Sequence, residues 1–270
     1  MKYRYISDCH VHSDCSRDGS DPTMMMCERA SGLGLYALTM TDHCECNEYM
    51  TEEYDKSIRQ SYFEAKKAAS VFRGRLLVYA GVELGQPMQD IHAAEDALNA
   101  CNFDFVLASV HNIRDMKDFY FLDYDTVNAY DALDRYFEEI LETIHWGKFD
   151  SLAHLTYPLR YIVGEHNIPV DFERYNQKVD EILKALIQSG KALELNTSGL
   201  RQKLGETLPP LSVLKRYYEL GGKYVTVGSD AHRWADVGAG IEPGLSLLQQ
   251  AGFQHFTIFV NHEPKLLPIE

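Results

Sequence analysis

Two histidines flank one valine at His10-Val11-His12, and Asp18 follows six residues later beside Gly19. On an extended chain, residues i and i+2 share one side, so both imidazoles can reach a single ion. Such a pair alone marks a structural histidine as often as a ligand, and a loop aspartate usually caps or is solvated. The number of similar positions changes the reading. His43 (after Asp42), Glu83, His111, His154, Asp230 and His232 each close a short apolar run or stand just past one. Six imidazoles and three carboxylates are N and O donors that suit Zn, Mn or Fe and need no thiolate. One ion of about four to six ligands cannot use nine donors, so two or three divalent ions are expected. Glu83 is the natural bridge, because a carboxylate offers two oxygens. Cys44 and Cys46 flank Glu45 next to His43, but no other strand end supplies a thiol, and they are read as non-ligating.

A multi-ion site of this kind generates a nucleophile near neutral pH and clamps the oxygens of an in-line displacement. Arg160, six residues after His154, and Arg201, closing Glu194–Arg201, fall on the same side of predicted strands. A guanidinium fork suits a phosphate, so both are read as substrate-binding. Three divalent ions outweigh three carboxylates, which leaves such a site positive before the arginines are added. The substrate expected is a small phosphate ester.

These donors need a frame that gathers many strand ends. The runs Tyr3–Ile6, Tyr36–Met40, Leu76–Val82, Phe103–Val110, Ser151–Ala153, Ala192–Leu195, Tyr224–Val227 and Phe256–Val260 read as buried strands. Helical stretches lie between them. Val179, Ile182, Leu183, Leu186 and Ile187 fall on one face of Gln177–Ser189, with Gly190 as a stop, and Thr126–His145 repeats the pattern. Strand then helix, about seven times, predicts an α/β fold: a parallel barrel with its chemistry at the C-terminal strand ends. No repeat, low-complexity tract or linker interrupts the 270 residues, so residues 1–270 are read as a single domain. His92, His145, His166, His255 and His262 are read as ordinary surface or core residues.

The formal net charge of −14 argues against nucleic-acid or anionic-membrane partners. No apolar run approaches the roughly 20 residues of a membrane span, and the first residues lack a signal peptide's charged and then apolar pattern. A cytoplasmic location is therefore expected, with the six cysteines as free thiols.

Together, Asp8–Gly19, Thr41-Asp42-His43, Gly81-Val82-Glu83, Ser109-Val110-His111, Ala153-His154 and Gly228–His232 resemble the PHP (polymerase and histidinol phosphatase) superfamily, from residue 4 to about 240. Leu193–Arg201, His154–Tyr161 and an acid six residues after His12 look most like its histidinol-phosphate phosphatases. The resemblance implies a distorted, TIM-barrel-like (β/α)7 barrel with a trinuclear site. His10, His12, Glu83 and Asp230 would hold one ion, Glu83, His111 and His154 a second, and Asp18, His43 and His232 a third. It implies a metal-dependent phosphomonoesterase, with His43, Glu83, Asp230 and His232 acting in catalysis and a metal-bound hydroxide attacking L-histidinol phosphate. Three alternatives share parts of this pattern. Another PHP phosphoesterase would act on nucleotides or other small phosphate esters. A catalytically dead PHP module would lack ligands, and a TIM-barrel amidohydrolase usually wants a bridging lysine, whereas no lysine stands at a predicted strand end. Glu194, Tyr157 and the Asp115–Tyr124 segment are candidates for the non-phosphate part of the substrate.

Overall fold

Strands buried on both faces need cover on both sides, and a parallel sheet with crossover helices supplies it. In the computed structural model, which describes residues 2–270, β1 (Ser7–Val11), β2 (Ala37–Met40), β5 (Phe105–Ser109), β6 (Ser151–Leu152), β7 (Ala192–Asn196) and β8 (Val225–Gly228) have every residue buried. Two further strands complete the wall: the short β3 (His43–Glu45) and the long β4 (Leu77–Gly85). The order is β1-β2-β4-β5-β6-β7-β8, with β3 paired to β4 and every pairing parallel. The ring closes where His12 N donates to Ala231 O (2.9 Å) and Asp230 N to His10 O (2.8 Å).

The crossovers are α1 (Thr23–Gly32), α2 (Tyr54–Val71), α3 (Ile91–Ala100), α4 (Ala129–Trp146), α5 (Asn176–Gln188) and α6 (Leu211–Glu219), and α7 (Ile241–Ala251) follows β8. Local chemistry sets their ends. Asn128 Oδ1 accepts from Tyr130 N and Asp131 N at the start of α4. Gly190, with φ +69°, stops the chain after α5. The (β/α)7 barrel expected from the sequence is thus observed, and the fully buried Leu38, Leu107, Leu152 and Val227 belong to its core.

Three expectations need correction. The first strand is not Tyr3–Ile6 but Ser7–Val11, because Asp8 and His10 are buried by the site they serve, which a hydrophobicity pattern cannot register. The third runs past Val82 to Gly85, so Glu83 lies within it. The last run is not a barrel strand. As β9 (His255–Val260) it pairs antiparallel with β10 (Glu263–Pro268), across a turn whose Asn261 and His262 have φ of 50° and 63°. A two-residue turn with both φ positive matches the twist of a hairpin. This hairpin covers the N-terminal end of the barrel. The Phe259 ring lies 5.4 Å from Phe105, His262 N donates to Asp104 O (2.9 Å), and Val225 N donates to Thr257 Oγ1 (3.2 Å). Among the described residues no helix is long and apolar enough to cross a membrane.

Candidate metal centre

All nine predicted donors converge at the C-terminal mouth of the barrel. His10 lies within β1 and Glu83 within β4, while His12, Asp18, His111, His154, Asp230 and His232 stand in the loops beyond strand ends. His43 opens β3 and sits in register with Glu83 on the neighbouring strand. Eight of the nine are packed tightly at the mouth, and Asp18 alone reaches in from solvent with its side chain 61% exposed.

Their ligand atoms fall into three adjoining groups. In the first, Glu83 Oε2 is 3.2 Å from His10 Nε2 and 3.4 Å from His12 Nε2, and Asp230 Oδ1 is 3.7 and 3.5 Å from the same nitrogens. In the second, Glu83 Oε1 is 3.1 Å from His111 Nε2 and 3.0 Å from His154 Nε2. In the third, His43 Nε2 and His232 Nε2 are 3.4 Å apart, with Asp18 oxygens 3.6 and 3.1 Å from them. The groups are not isolated: His12 also lies within 4.8 Å of His43 and His232, and His43 of Glu83 and His111.

These distances suit ions. Ligands about 2.0–2.1 Å from a tetrahedral ion are about 3.3 Å from one another. The hydrogen bonding points the same way. His10 Nε2, His12 Nε2 and Glu83 Oε2 are fully buried and make no hydrogen bond, although they are near enough to touch. Unpartnered polar atoms are costly to bury, and donors aimed past one another at a shared centre are what an ion requires. The donor set therefore fits two or three divalent ions.

Electrostatics without ions shows how tightly the set is coupled. Burial alone would push the Glu83 carboxyl up, but His10, His111 and His43 hold it well below the usual range. Burial likewise favours neutral His10, yet Glu194, Glu83 and Asp230 raise it well above an ordinary histidine. His12, with burial and with His232 and His43 beside it, is lowered instead.

Around the donors stands a layer that orients them. Glu194, a candidate for substrate recognition, is fully buried: Oε1 meets His10 Nδ1 at 2.7 Å, and Oε2 accepts from His154 N (2.8 Å) and Asn196 Nδ2 (3.2 Å). It therefore orients a donor histidine and faces no substrate space. Asp8 ties β1 to the loop after β8, accepting from Ser229 N (2.8 Å), Ser229 Oγ (2.5 Å) and Gly238 N (2.8 Å). Gly228 permits that closeness, since a Cβ there would stand 2.3 Å from His10 Cβ and 2.6 Å from Glu194 Oε1. Asp42 is saturated by Ser13, Ser16 and Ser61, and Ser16 Oγ in turn lies 3.2 Å from His12 Nδ1. The serines were not legible as site residues, because nothing in their spacing sets them apart. Cys44 and Cys46 are buried in the apolar core, as their reading as non-ligands expects.

The arginines lie beside the ions' place. Arg160 Nη2 donates to Asp230 Oδ2 (2.9 Å) and Ser198 Oγ (2.6 Å), its Nε is buried without a partner, and its guanidinium is 5.1 Å from the Tyr157 ring centre. Arg201 Nη2 donates to Asp230 O (2.8 Å). Both line a cavity of about 460 Å³ with Asp18, Asp230 and His232. Arg233, next to His232, lines it too and was missed; it is ion-paired with Asp236 (2.6 Å). Asp230 itself takes φ +55°, a conformation that L residues adopt at a cost and that functional sites retain.

On the other flank the 111–128 loop brings Asp118 to the Tyr157 hydroxyl, which lies 3.1 and 3.2 Å from its two oxygens. Tyr157 stands over the second donor group, its ring 4.9 Å from His111 and 5.0 Å from His154. Burial pushes the Asp118 carboxyl up, and among the described residues no lysine or arginine pairs with it.

Comparison with known proteins agrees with this geometry. The family model of the PHP domain matches residues 8–198, more than half of the chain. A probable histidinol-phosphatase of Thermotoga maritima is 30% identical, the match covering 93% of this chain and 94% of the relative. A histidinol-phosphatase of Lactococcus lactis is 26% identical, with 93% of both chains covered. The fold is shared with the crystal structure of histidinol phosphate phosphatase from Lactococcus lactis, complexed with zinc, L-histidinol and phosphate. The TM-score is 0.76 at 24% identity, covering 96% of this chain and 98% of that one.

Proposed function

The chain belongs to the PHP-domain family, and from that premise we propose that it is a cytoplasmic metal-dependent phosphomonoesterase hydrolysing L-histidinol phosphate to L-histidinol and phosphate. The observation that carries the metal part is the set of buried, unpartnered atoms on His10, His12 and Glu83. His10, His12, Glu83 and Asp230 would hold one ion, Glu83, His111 and His154 a second, and Asp18, His43 and His232 a third. When bound, divalent ions supply a nucleophile at neutral pH and offset charge on the phosphoryl oxygens.

The chain's own groups do the rest. Glu83 directs one oxygen to each of two donor groups and so fixes their separation. Arg160 and Arg201, both on the wall of the cavity, orient the phosphate. Asp230 holds Arg160 in place through Oδ2 while Oδ1 faces the ions' place. At the far end of the substrate, Asp118, held by the Tyr157 hydroxyl, would meet an ammonium group. Relatives named for histidinol phosphate favour that substrate over nucleotides, whose leaving group carries no ammonium to match Asp118.

A substrate panel tests the reading. Histidinol phosphate should exceed AMP and p-nitrophenyl phosphate in kcat/KM, although the last has the better leaving group. A site that reads buried polar groups discriminates more than one that reads shape. If AMP or a sugar phosphate wins, the metallophosphatase reading stands and the histidinol reading fails.

A further inference from the structure

Glu45 has no part in the ligand set, yet it stands between two of the donor groups. It lies on β3, two residues after His43, and alternation along the strand puts both side chains on the same face. Its Oε1 is 3.1 Å from His111 Nδ1 and 3.3 Å from His43 Nδ1, a nitrogen that also lies 3.0 Å from the ligand oxygen Glu83 Oε2. Its Oε2 accepts from Gln86 Nε2 (2.5 Å), and Gln86 Oε1 accepts from His111 N (3.0 Å). Glycine at position 85 makes room for the carboxylate: a Cβ there would lie 2.2 Å from Glu45 Oε2. Among the described residues no lysine or arginine pairs with Glu45, so its negative charge is directed at the two imidazoles.

We infer that Glu45 is a positioning residue that holds His43 and His111 together, each with Nδ1 toward its carboxylate and Nε2 turned to a different ion. This rests on the metal-binding reading above but not on the identity of the substrate. A histidine that donates its second nitrogen to a carboxylate has its tautomer and ring orientation fixed, and losing such a partner typically costs about 10- to 100-fold in metal affinity. Because one oxygen serves both rings, two ions should weaken together. The ion faced by His10 and His12 depends on Glu194 and should not.

The test is zinc binding, with no substrate present. Wild type, Glu45→Gln and Glu45→Asp are stripped with a chelator and titrated with Zn²⁺ by calorimetry, with metal content measured in parallel and thermal unfolding of the stripped proteins as a control. Glu45→Gln should weaken two ions by about 10- to 100-fold while the remaining one keeps its wild-type affinity. The stripped unfolding midpoint should stay where it was. Glu45→Asp keeps the charge but withdraws it by one methylene; it should weaken the same two ions less, and it carries the test if Glu45→Gln does not fold. Wild-type binding in both variants, loss of one ion alone, or equal weakening of every ion with a lowered midpoint each overturns the inference. A wild type that takes up fewer than two ions overturns it along with the metal reading. A failed substrate panel leaves it intact.

Discussion

Removing Arg160 should separate phosphate recognition from metal binding. Its Nη2 is committed to Asp230 and Ser198, its guanidinium rests on Tyr157, and its buried Nε has no partner. The guanidinium is therefore held in place by protein contacts at the wall of the cavity, where its remaining donors can meet a phosphate oxygen. A hydrogen bond to a charged group contributes about 1.5–3 kcal/mol, and each 1.4 kcal/mol is about tenfold. Arg160→Ala should thus lower kcat/KM by about 10- to 150-fold, and inorganic phosphate should weaken as an inhibitor in parallel. Arg201→Ala should fall in the same range, since its Nη2 is held by a backbone carbonyl and its Nε lies 4.0 Å from Asp236 Oδ1, which leaves its other nitrogen to a phosphate. Metal content should hold in both variants, because Asp230 Oδ1 still faces His10 and His12. The assays are steady-state kinetics, phosphate inhibition and metal analysis on the same preparations. Wild-type kinetics in both variants on every ester, or losses that simply track lost metal, would refute the reasoning.

Two other substitutions probe the remaining groups. Glu83→Ala should lose more metal than any other single ligand substitution, since its two oxygens face five histidines; His154→Ala losing as much on metal analysis would contradict the bridge. Asp118→Asn keeps an acceptor for Tyr157 and removes only the charge. It should raise KM for histidinol phosphate about tenfold or more and leave p-nitrophenyl phosphate unchanged, and equal shifts on both would show that Asp118 reads no cation.

Most of this site was legible because its chemistry is written in rare residues at repeated places. Histidines and carboxylates at successive strand ends have no packing reason to recur, so the nine donors and the barrel could be read together. What the pattern hid was of a different kind. Glu45 and Ser16 are common residue types whose importance lies in partners far along the chain, such as the 66 positions that separate Glu45 from His111, and Asp118 lies in the candidate segment Asp115–Tyr124, which spacing cannot narrow to one residue. The first strand was displaced because hydropathy sees Asp8 and His10 as polar, whereas hydrogen bonds bury them entirely. The hairpin at the C-terminus looked like one more barrel strand, since Phe256–Val260 is as apolar as the true ones. Only the positive φ at Asn261 and His262 turns the chain back on itself.

The same hairpin covers the end of the barrel opposite the site. With β9 and β10 across the N-terminal end and leucines and valines filling the middle, ions, ester, water and both products share the mouth where the arginines stand. Traffic through such a dead end is sequential. Phosphate resting against Arg160 and Arg201, as proposed, would occupy the space the next ester needs, so turnover could not outrun its departure and accumulated phosphate would restrain the reaction.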